Sequence, residues 1–389
     1  MKILFFISLL THGRGGHLYS LFHIANQIAS KHEVEIVSIG PGDNTTISNH
    51  PNYLCHVDLD GKNLIQFKRK MDHIIEDFSP NIVHCFDVTS FNIIKPLYIS
   101  KNFNIVLTKC GGSNPKFFPY VKNLILFSVE NKRWFESNNR YKKSNIALIP
   151  NRVSKITTEF SDIKRSEEFF TFVKIARIGI TYKQSILHCI NLIDELYRKD
   201  KSLKIRLFII GVVESEEILL EISNSKYVLD GTVVILTDDK YTRNASKMLY
   251  LADAAIATGR GVMESASLGI PTLTGNSLSS IPMLITMDTF EDGFKTNFSG
   301  RNVFSEKGNK DNLLNIQRVI VDPAYRTEIS EYMKSIFEEN FNVENSLAKY
   351  EDFYISLVGE NNGKRKFFQD SLFGLKSLRN FHKNSIMKK

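Results

Sequence analysis

The chain has only four cysteines, Cys55, Cys85, Cys110 and Cys189, and none falls in a CxxC pair or at a zinc-ligand spacing. That excludes a disulfide scaffold, and three of the four stand in or beside apolar runs, where a thiol packs as a small hydrophobe. A reducing, cytoplasmic setting is expected. Long apolar runs are also missing: none approaches the roughly 20 residues that span a bilayer. The opening MKILFFISLLTHGRGG is short, lacks a small-residue cleavage site and leads straight into glycines, so it reads as a buried first strand rather than a signal peptide. The sequons at Asn44, Asn244 and Asn297 are then expected to stay unmodified. Acidic residues are scarce in one place. Residues 361–389 hold eight Lys or Arg and a single acid, Asp370, so this tail carries +7 of the net +8. A nucleic-acid enzyme spreads positive charge over a folded face among stacking aromatics, and the remaining +1 argues against that class.

What is present is ordinary globular composition, 42% hydrophobic and 24% charged, which excludes disorder and fibrous repeats. At 389 residues the chain exceeds the size at which one core keeps growing, so two domains are expected. Short aliphatic runs alternate with longer amphipathic ones, the pattern of βαβ units around parallel sheets. The first series comprises Ile3–Ser8, Val34–Ile39, Ile82–Phe86, Ile105–Thr108, Leu124–Phe127 and Ile146–Ile149. A polar stretch without period follows. A second series begins at Phe169–Ile175 and continues with Ile205–Ile210, Val233–Leu236, Ala254–Ala257 and Thr272–Leu273. The expected fold is therefore α/β, with two doubly wound Rossmann-like domains facing across a cleft. Residues 1–152 form the first, 153–168 the linker, 169–358 the second with closing helices, and 359–389 a tail. Pro323 marks a break, and Tyr350, Phe353, Tyr354 and Leu357 form an apolar helical stripe read as core.

Parallel sheets bind ligands beyond the carboxyl ends of their strands, so the loops after strands carry the candidates. The first is His12-Gly13-Arg14-Gly15-Gly16-His17, where glycine admits a ligand close to the backbone and the helix that follows favours an anion. It is not a dinucleotide fingerprint, because the third glycine would fall at Leu18, and no Gly-Lys-Ser/Thr makes it a P-loop. A second loop, Thr108 to Pro115, offers Lys109, Gly111, Gly112 and Asn114 to a substrate or simply turns the chain. In the second half, Arg177 ends a strand and Lys183 lies ahead of a helix, a pair suited to clamping a diphosphate. The stretch Thr258-Gly259-Arg260-Gly261-Val262-Met263-Glu264 runs from strand to helix. There Glu264, read in the first helical turn, can accept from vicinal hydroxyls or complement the helix dipole, while the Gly261 and Val262 amides face a phosphate.

Taken in order and spacing, GRGGH, IARIGITYK and GRGVMESASLGIPTL resemble the retaining GT-B glycosyltransferases of the GT4 type over about residues 1–358. The resemblance implies an acceptor-side first domain and a second domain that binds the nucleotide-sugar donor. Gly15 and Gly16 would face the sugar-phosphate. Arg177 and Lys183 would clamp the diphosphate and stabilise its departure, Arg260, Gly261 and Val262 would line the phosphates, and Glu264 would hold the ribose. No metal and no cofactor is implied, the substrate being a UDP- or GDP-linked sugar. The acceptor would be a saccharide or lipid-linked saccharide, by analogy in bacterial surface polysaccharide assembly. Two positions depart from the pattern. Ile256 stands where the family often has a first glutamate, and Cys110 where it often has a histidine; His84 lies one strand earlier. His84, Lys109, Gly111, Gly112 and Asn114 are the candidates for acceptor or sugar contact.

Other readings weigh on single features. Asp58-Leu59-Asp60 has the spacing that holds a divalent ion in GT-A transferases. A nucleotide-sugar epimerase shares the two-domain architecture. The basic tail, with Phe368, Leu372, Leu375, Leu378 and Phe381 near one helical face, is either an amphipathic helix lying on an anionic leaflet or a disordered terminus. On the first alternative the protein is peripheral at the inner membrane face, as an enzyme or as a non-catalytic membrane-surface protein.

Overall fold

The computed structural model describes residues 1–10, 16–42, 45–98, 101, 103–159, 161–358 and 367–387. The chain divides into two compact units, Met1–Arg152 with Val343–Lys389, and Val153–Asn342.

The first unit is built on seven strands, β1 Lys2–Ser8, β2 Glu33–Ile39, β3 Tyr53–Val57, β4 Ile82–Cys85, β5 Asn104–Lys109, β6 Asn123–Leu126 and β7 Asn145–Leu148. They lie in the order β3-β2-β1-β4-β5-β6-β7, parallel throughout. A parallel strand is buried on both faces, so β1 reads as an unbroken apolar run. Ile3, Phe5 and Ile7 enter one core layer and Leu4 and Phe6 the other. Each such side chain contributes about 1.5–3 kcal/mol of transfer free energy. Helices α1 Gly16–Ala29, α2 Leu64–Phe78, α3 Val88–Tyr98 and α4 Val129–Ser137 connect the strands. Strand β3 escaped the sequence reading because it is an edge strand whose side chains are mostly half-exposed.

The second unit has six strands, β8 Phe170–Ile175, β9 Ile205–Ile210, β10 Val233–Leu236, β11 Ala254–Ile256, β12 Thr272–Thr274 and β13 Met283–Leu284, in the order β10-β9-β8-β11-β12-β13. Only β13 runs antiparallel to its neighbour. The helices that position its loops are α5 Ile180–Lys199, α6 Glu216–Ser223 and α7 Arg260–Ser267. They are followed by α8 Glu306–Val321 and α9 Pro323–Ile336. Pro323 is the break expected: Asp322 caps α9 by accepting from Ala324 N at 3.0 Å and Tyr325 N at 3.1 Å, and Pro323 occupies the first helical position, where no N–H is needed.

Two boundaries differ from the sequence reading. Residues 153–168 are not a free linker: Val153 is fully buried and bridges Asn342, and Tyr250 Oη is bonded to Ser161 Oγ at 2.8 Å and donates to Ile163 O at 2.6 Å. The helices after residue 342 do not close the second unit. α10, Leu347–Ser356, and α11, Phe367–Met387, belong to the first. The aromatic stripe packs beside β1 and β4, where Tyr350, Phe353, Tyr354 and Leu357 join Ile3 and Phe5 in one core layer. Asn104 Nδ2 also donates to Leu357 O at 2.7 Å. Periodicity shows that a helix buries a face, not which sheet receives it.

Candidate functional site

Both sheets reverse their winding once. The first goes outward from β1 through β2 to β3 and resumes with β4 beside β1; the second goes from β8 through β9 to β10 and resumes with β11 beside β8. At such a switch point the loops leaving adjacent strands diverge and open a crevice at the carboxyl edge. The pairs to inspect are β1 with β4 and β8 with β11.

Arg177 follows β8 and Arg260 begins the helix after β11, so the two loops leave neighbouring strands. Backbone approach fixes the first loop. Ile178 N donates to Val212 O at 2.9 Å, and a β-carbon on Gly211 would stand 1.7 Å from Ala176 O, which only glycine avoids. Arg177 Nη1 donates to Glu214 Oε1 at 2.5 Å, and its guanidinium lies 5.1 Å over the Tyr182 ring. Lys183 Nζ pairs with Glu221 Oε2 at 2.6 Å. These four side chains are 39–53% exposed, so each pair is worth only about 0.2–1 kcal/mol and yields readily to a doubly charged ligand.

The second loop is different. Gly259 takes φ +53 ahead of α7, and its N–H donates to Phe298 O at 3.0 Å. Phe298 and Asn297 are themselves at φ +51 and +56, a left-handed pair that non-glycine residues rarely adopt and that costs of order 1–3 kcal/mol per residue. Glu264 lies beyond the first turn of α7, against the sequence reading, and accepts from Arg260 Nε at 2.8 Å. This pair is only 14% and 16% exposed. Burial holds the Glu264 carboxyl above the usual range, opposed by the Arg260 charge. The Gly261 and Val262 amides do not point outward: they donate to Thr258 O and Gly259 O, each at 3.1 Å, and the Val262 side chain is core.

At the β1/β4 switch point, Asp87 accepts from Ser8 N at 2.7 Å, Ser8 Oγ at 2.8 Å and Ser90 N at 2.8 Å, pinning the two strand ends together. His17, in the first turn of α1, feels the charge of this carboxylate, which raises its pKa, but burial is the larger effect and lowers it. Gly16 starts α1 and is exposed, whereas Gly15 and the preceding His12, Gly13 and Arg14 lie outside the described residues. The His17–Asp87 relationship was not read from sequence because 70 residues separate the two and no spacing rule links them.

The remaining candidates are held by contacts within the first unit. His84 is fully buried, with Nδ1 2.7 Å from Tyr354 Oη and Nε2 2.7 Å from Thr108 Oγ1; burial pushes its pKa down to about 3. It is a satisfied core histidine, not an acceptor contact. Lys109 turns back on its own loop, donating to Gly111 O and, at 2.9 Å, to Asn131 Oδ1, while Asn114 Oδ1 accepts from Asn131 Nδ2 at 2.9 Å. Gly111 and Gly112 take φ +73 and +79 to allow this curl. Burial and the Asp87 charge raise the Cys110 thiol well above its ordinary value, so it is protonated and unsuited to nucleophilic attack. Asp60 accepts from Lys62 N and Asn63 N at 2.8 and 3.1 Å, so the Asp-Leu-Asp stretch shapes a turn. Among the described residues no cluster of three or more His, Cys, Asp or Glu is arranged for a metal.

A cavity of about 650 Å³ lies instead at the amino edge of the second sheet, lined by Arg165, Glu168, Phe170, Lys204, Asp253 and Arg326. Arg165 pairs with Asp253 and Lys204 with Glu168 at 2.8 Å. Parallel sheets place ligand loops at the opposite edge, where the candidates Arg177, Lys183, Arg260 and Glu264 stand.

No protein-family profile matches the sequence, and no curated protein does. Solved structures do match. Anabaena HepE in complex with UDP and glucose is 14% identical, covering 92% of this chain and 100% of its own, with a TM-score of 0.64. A glycosyltransferase from Rickettsia africae ESF-5 is 15% identical over 92% of this chain and 99% of its own, TM-score 0.63. The lipopolysaccharide outer core galactosyltransferase WaaB in its apo form is 16% identical over 92% and 100%, TM-score 0.56. The fold is GT-B. In the second unit Arg177 and Arg260 stand on loops that leave neighbouring strands, Glu264 lies one turn after Arg260, and Lys183 lies on the helix that follows Arg177.

Proposed function

We propose that this GT-B protein is a glycosyltransferase that moves a sugar from a nucleotide-diphosphate sugar to a hydroxyl of a saccharide or lipid-linked saccharide. The observation that carries the reading is the pairing of two kinds of charge at one switch point. Arg177 and Lys183 are exposed cations in exchangeable pairs, fit to receive a diphosphate as negative charge grows on the leaving group. Arg260 and Glu264 are a partly buried, fixed pair, fit to present a carboxylate oxygen to vicinal hydroxyls of a ribose. The structurally similar HepE has been solved with UDP and with UDP-glucose, which supports a UDP-linked donor over a GDP-linked one.

Retention at the anomeric carbon rests on the resemblance of the three motifs. The acceptor hydroxyl then attacks from the face that the diphosphate leaves, and leaving-group stabilisation is the main protein contribution. WaaB, a lipopolysaccharide galactosyltransferase by name, supports a role in surface polysaccharide assembly.

Thermal-shift and calorimetric titration with UDP- and GDP-sugars tests donor binding; a ligand at 100 times its Kd raises stability by about 2.7 kcal/mol. Turnover with a saccharide acceptor, followed by NMR of the product anomer, tests transfer and retention. Arg177→Ala and Lys183→Ala should each cost about 30- to 1000-fold in kcat. Binding of no nucleotide sugar, or near-normal turnover in both folded variants, sinks the proposal; release of free epimer without acceptor identifies an epimerase instead.

A further inference from the structure

Helix α11 is neither a disordered terminus nor free in solution. Its inner side is locked to the first unit: Asp370 pairs with Lys95 at 2.7 Å, Ser377 Oγ accepts from Asn92 Nδ2 at 3.3 Å, and Phe381 is fully buried. Its C-terminal half sits on the loops leaving β2 and β3 at their carboxyl ends. A β-carbon on Gly40 would stand 3.2 Å from the Phe381 ring, and one on Gly61 would stand 2.8 Å from Leu378 O and 3.1 Å from His382 Cβ. The docking reassigns the faces expected from sequence, because Leu378 and Phe381 point inward.

The outward stripe is Leu372, the adjacent pair Leu375 and Lys376, then Arg379, Lys383 and Ile386, each step along the helix being three or four residues apart from that adjacent pair. Leu372, Leu375 and Ile386 are 67%, 64% and 60% exposed. Among the described residues none of the three cations forms an ion pair. Ile65, four residues past Gly61 at the start of α2, adds a side chain 72% exposed. Exposed branched aliphatics interleaved with unpaired cations suit the interface of an anionic bilayer, where the aliphatics enter the acyl boundary and the cations meet phosphate headgroups. A second copy would set this cationic stripe against itself, which like-charge repulsion opposes. No helix among the described residues is long and apolar enough to cross a membrane, so the contact would be peripheral.

We infer that the outward face of α11 docks the protein on an anionic lipid surface, presenting the carboxyl edge of the first sheet to a membrane-borne acceptor. The acceptor half of this statement rests on the glycosyltransferase reading; the docking half does not.

The test is co-sedimentation of the full chain, without donor, with vesicles of phosphatidylcholine alone and of phosphatidylcholine with an equal part of phosphatidylglycerol. Binding only to the second, weakened by salt, is expected. The Lys376→Gln, Arg379→Gln, Lys383→Gln triple variant should lose on the order of a hundredfold in partitioning, since each cation near the surface is worth about fivefold. Leu372→Ser with Leu375→Ser should weaken binding at any salt. Circular dichroism melting and nucleotide-sugar binding should be unchanged in both, because every substituted side chain is exposed and remote in sequence from the donor loops. No sedimentation of the wild type, equal sedimentation of the triple variant, or a dimer that the leucine variant dissociates without any vesicle binding would overturn the proposal. Vesicle binding in a protein that binds no nucleotide sugar would leave the docking surface standing and remove only its enzymatic purpose.

Discussion

Arg260 reaches one turn along its helix to hold the Glu264 carboxylate, Nε to Oε1 at 2.8 Å, with both side chains largely shielded from water. The pair orients one oxygen and leaves the carboxylate capacity for more hydrogen bonds. Glu264→Ala should therefore weaken UDP binding by about 10- to 100-fold, the worth of a hydrogen bond to a charged group. Arg260→Ala should show a similar loss because the carboxylate is then unheld. Calorimetric titration with UDP checks both. If stability falls in both variants while Kd stays constant, Glu264 serves its helix and not a ligand.

The carboxylates paired with Lys183 and Arg177 make the opposite prediction on the proposed reading. Glu221 competes for Lys183, and Glu214 for Arg177. Glu221→Gln should tighten UDP binding by a factor of up to about five, the worth of an exposed ion pair, whereas Lys183→Ala should weaken it. The same titration distinguishes the two signs. Tightening in neither Glu214→Gln nor Glu221→Gln would show that the cations are not shared with the ligand.

His84 gives the first unit a defined acid sensitivity. Its pKa falls from about 6.5 unfolded to about 3 folded. The unfolded chain thus binds the extra proton first. The contribution of the neutral imidazole is complete above about pH 6.5 and is lost as pH falls toward about 3, at roughly 1.4 kcal/mol per pH unit. Urea unfolding at a series of pH values should give a steeper decline for the wild type than for His84→Gln, which keeps hydrogen-bonding groups near Tyr354 and Thr108 but does not titrate. Parallel pH profiles would show that His84 is not shielded.

Lys95 and Asp370 hold α11 through a pair with side chains 9% and 2% exposed. Removing one partner strands the other charge away from water, so Lys95→Met and Asp370→Leu should each cost about 3–5 kcal/mol or release the helix to trypsin. The double variant should recover most of that loss. Equilibrium unfolding with limited proteolysis measures both, and additive losses in the double variant would rule out a coupled pair.

The parallel cores were legible because burial on both faces forces continuous aliphatic runs, as in β1, β4 and β9, and each run is a local signal. Loops after strands were legible as candidates for the same reason: topology alone sends ligand loops to the carboxyl edge. The placement of α10 and α11 was not, because an apolar stripe is silent about its partner. Tyr354 and Leu357 satisfy His84 and Asn104 from more than two hundred residues away, and Asp370 does the same for Lys95. Nor could sequence tell Arg177 in an exposed pair from Arg260 in a largely shielded one, since desolvation depends on what packs around a charge. The linear order of residues thus determined two doubly wound sheets and which loops could act. Tertiary packing decided which of those loop charges stand in exposed pairs and which are shielded, and turned the basic tail into a helix docked on the first unit with one face outward, because burial and pairing are properties of neighbours in space.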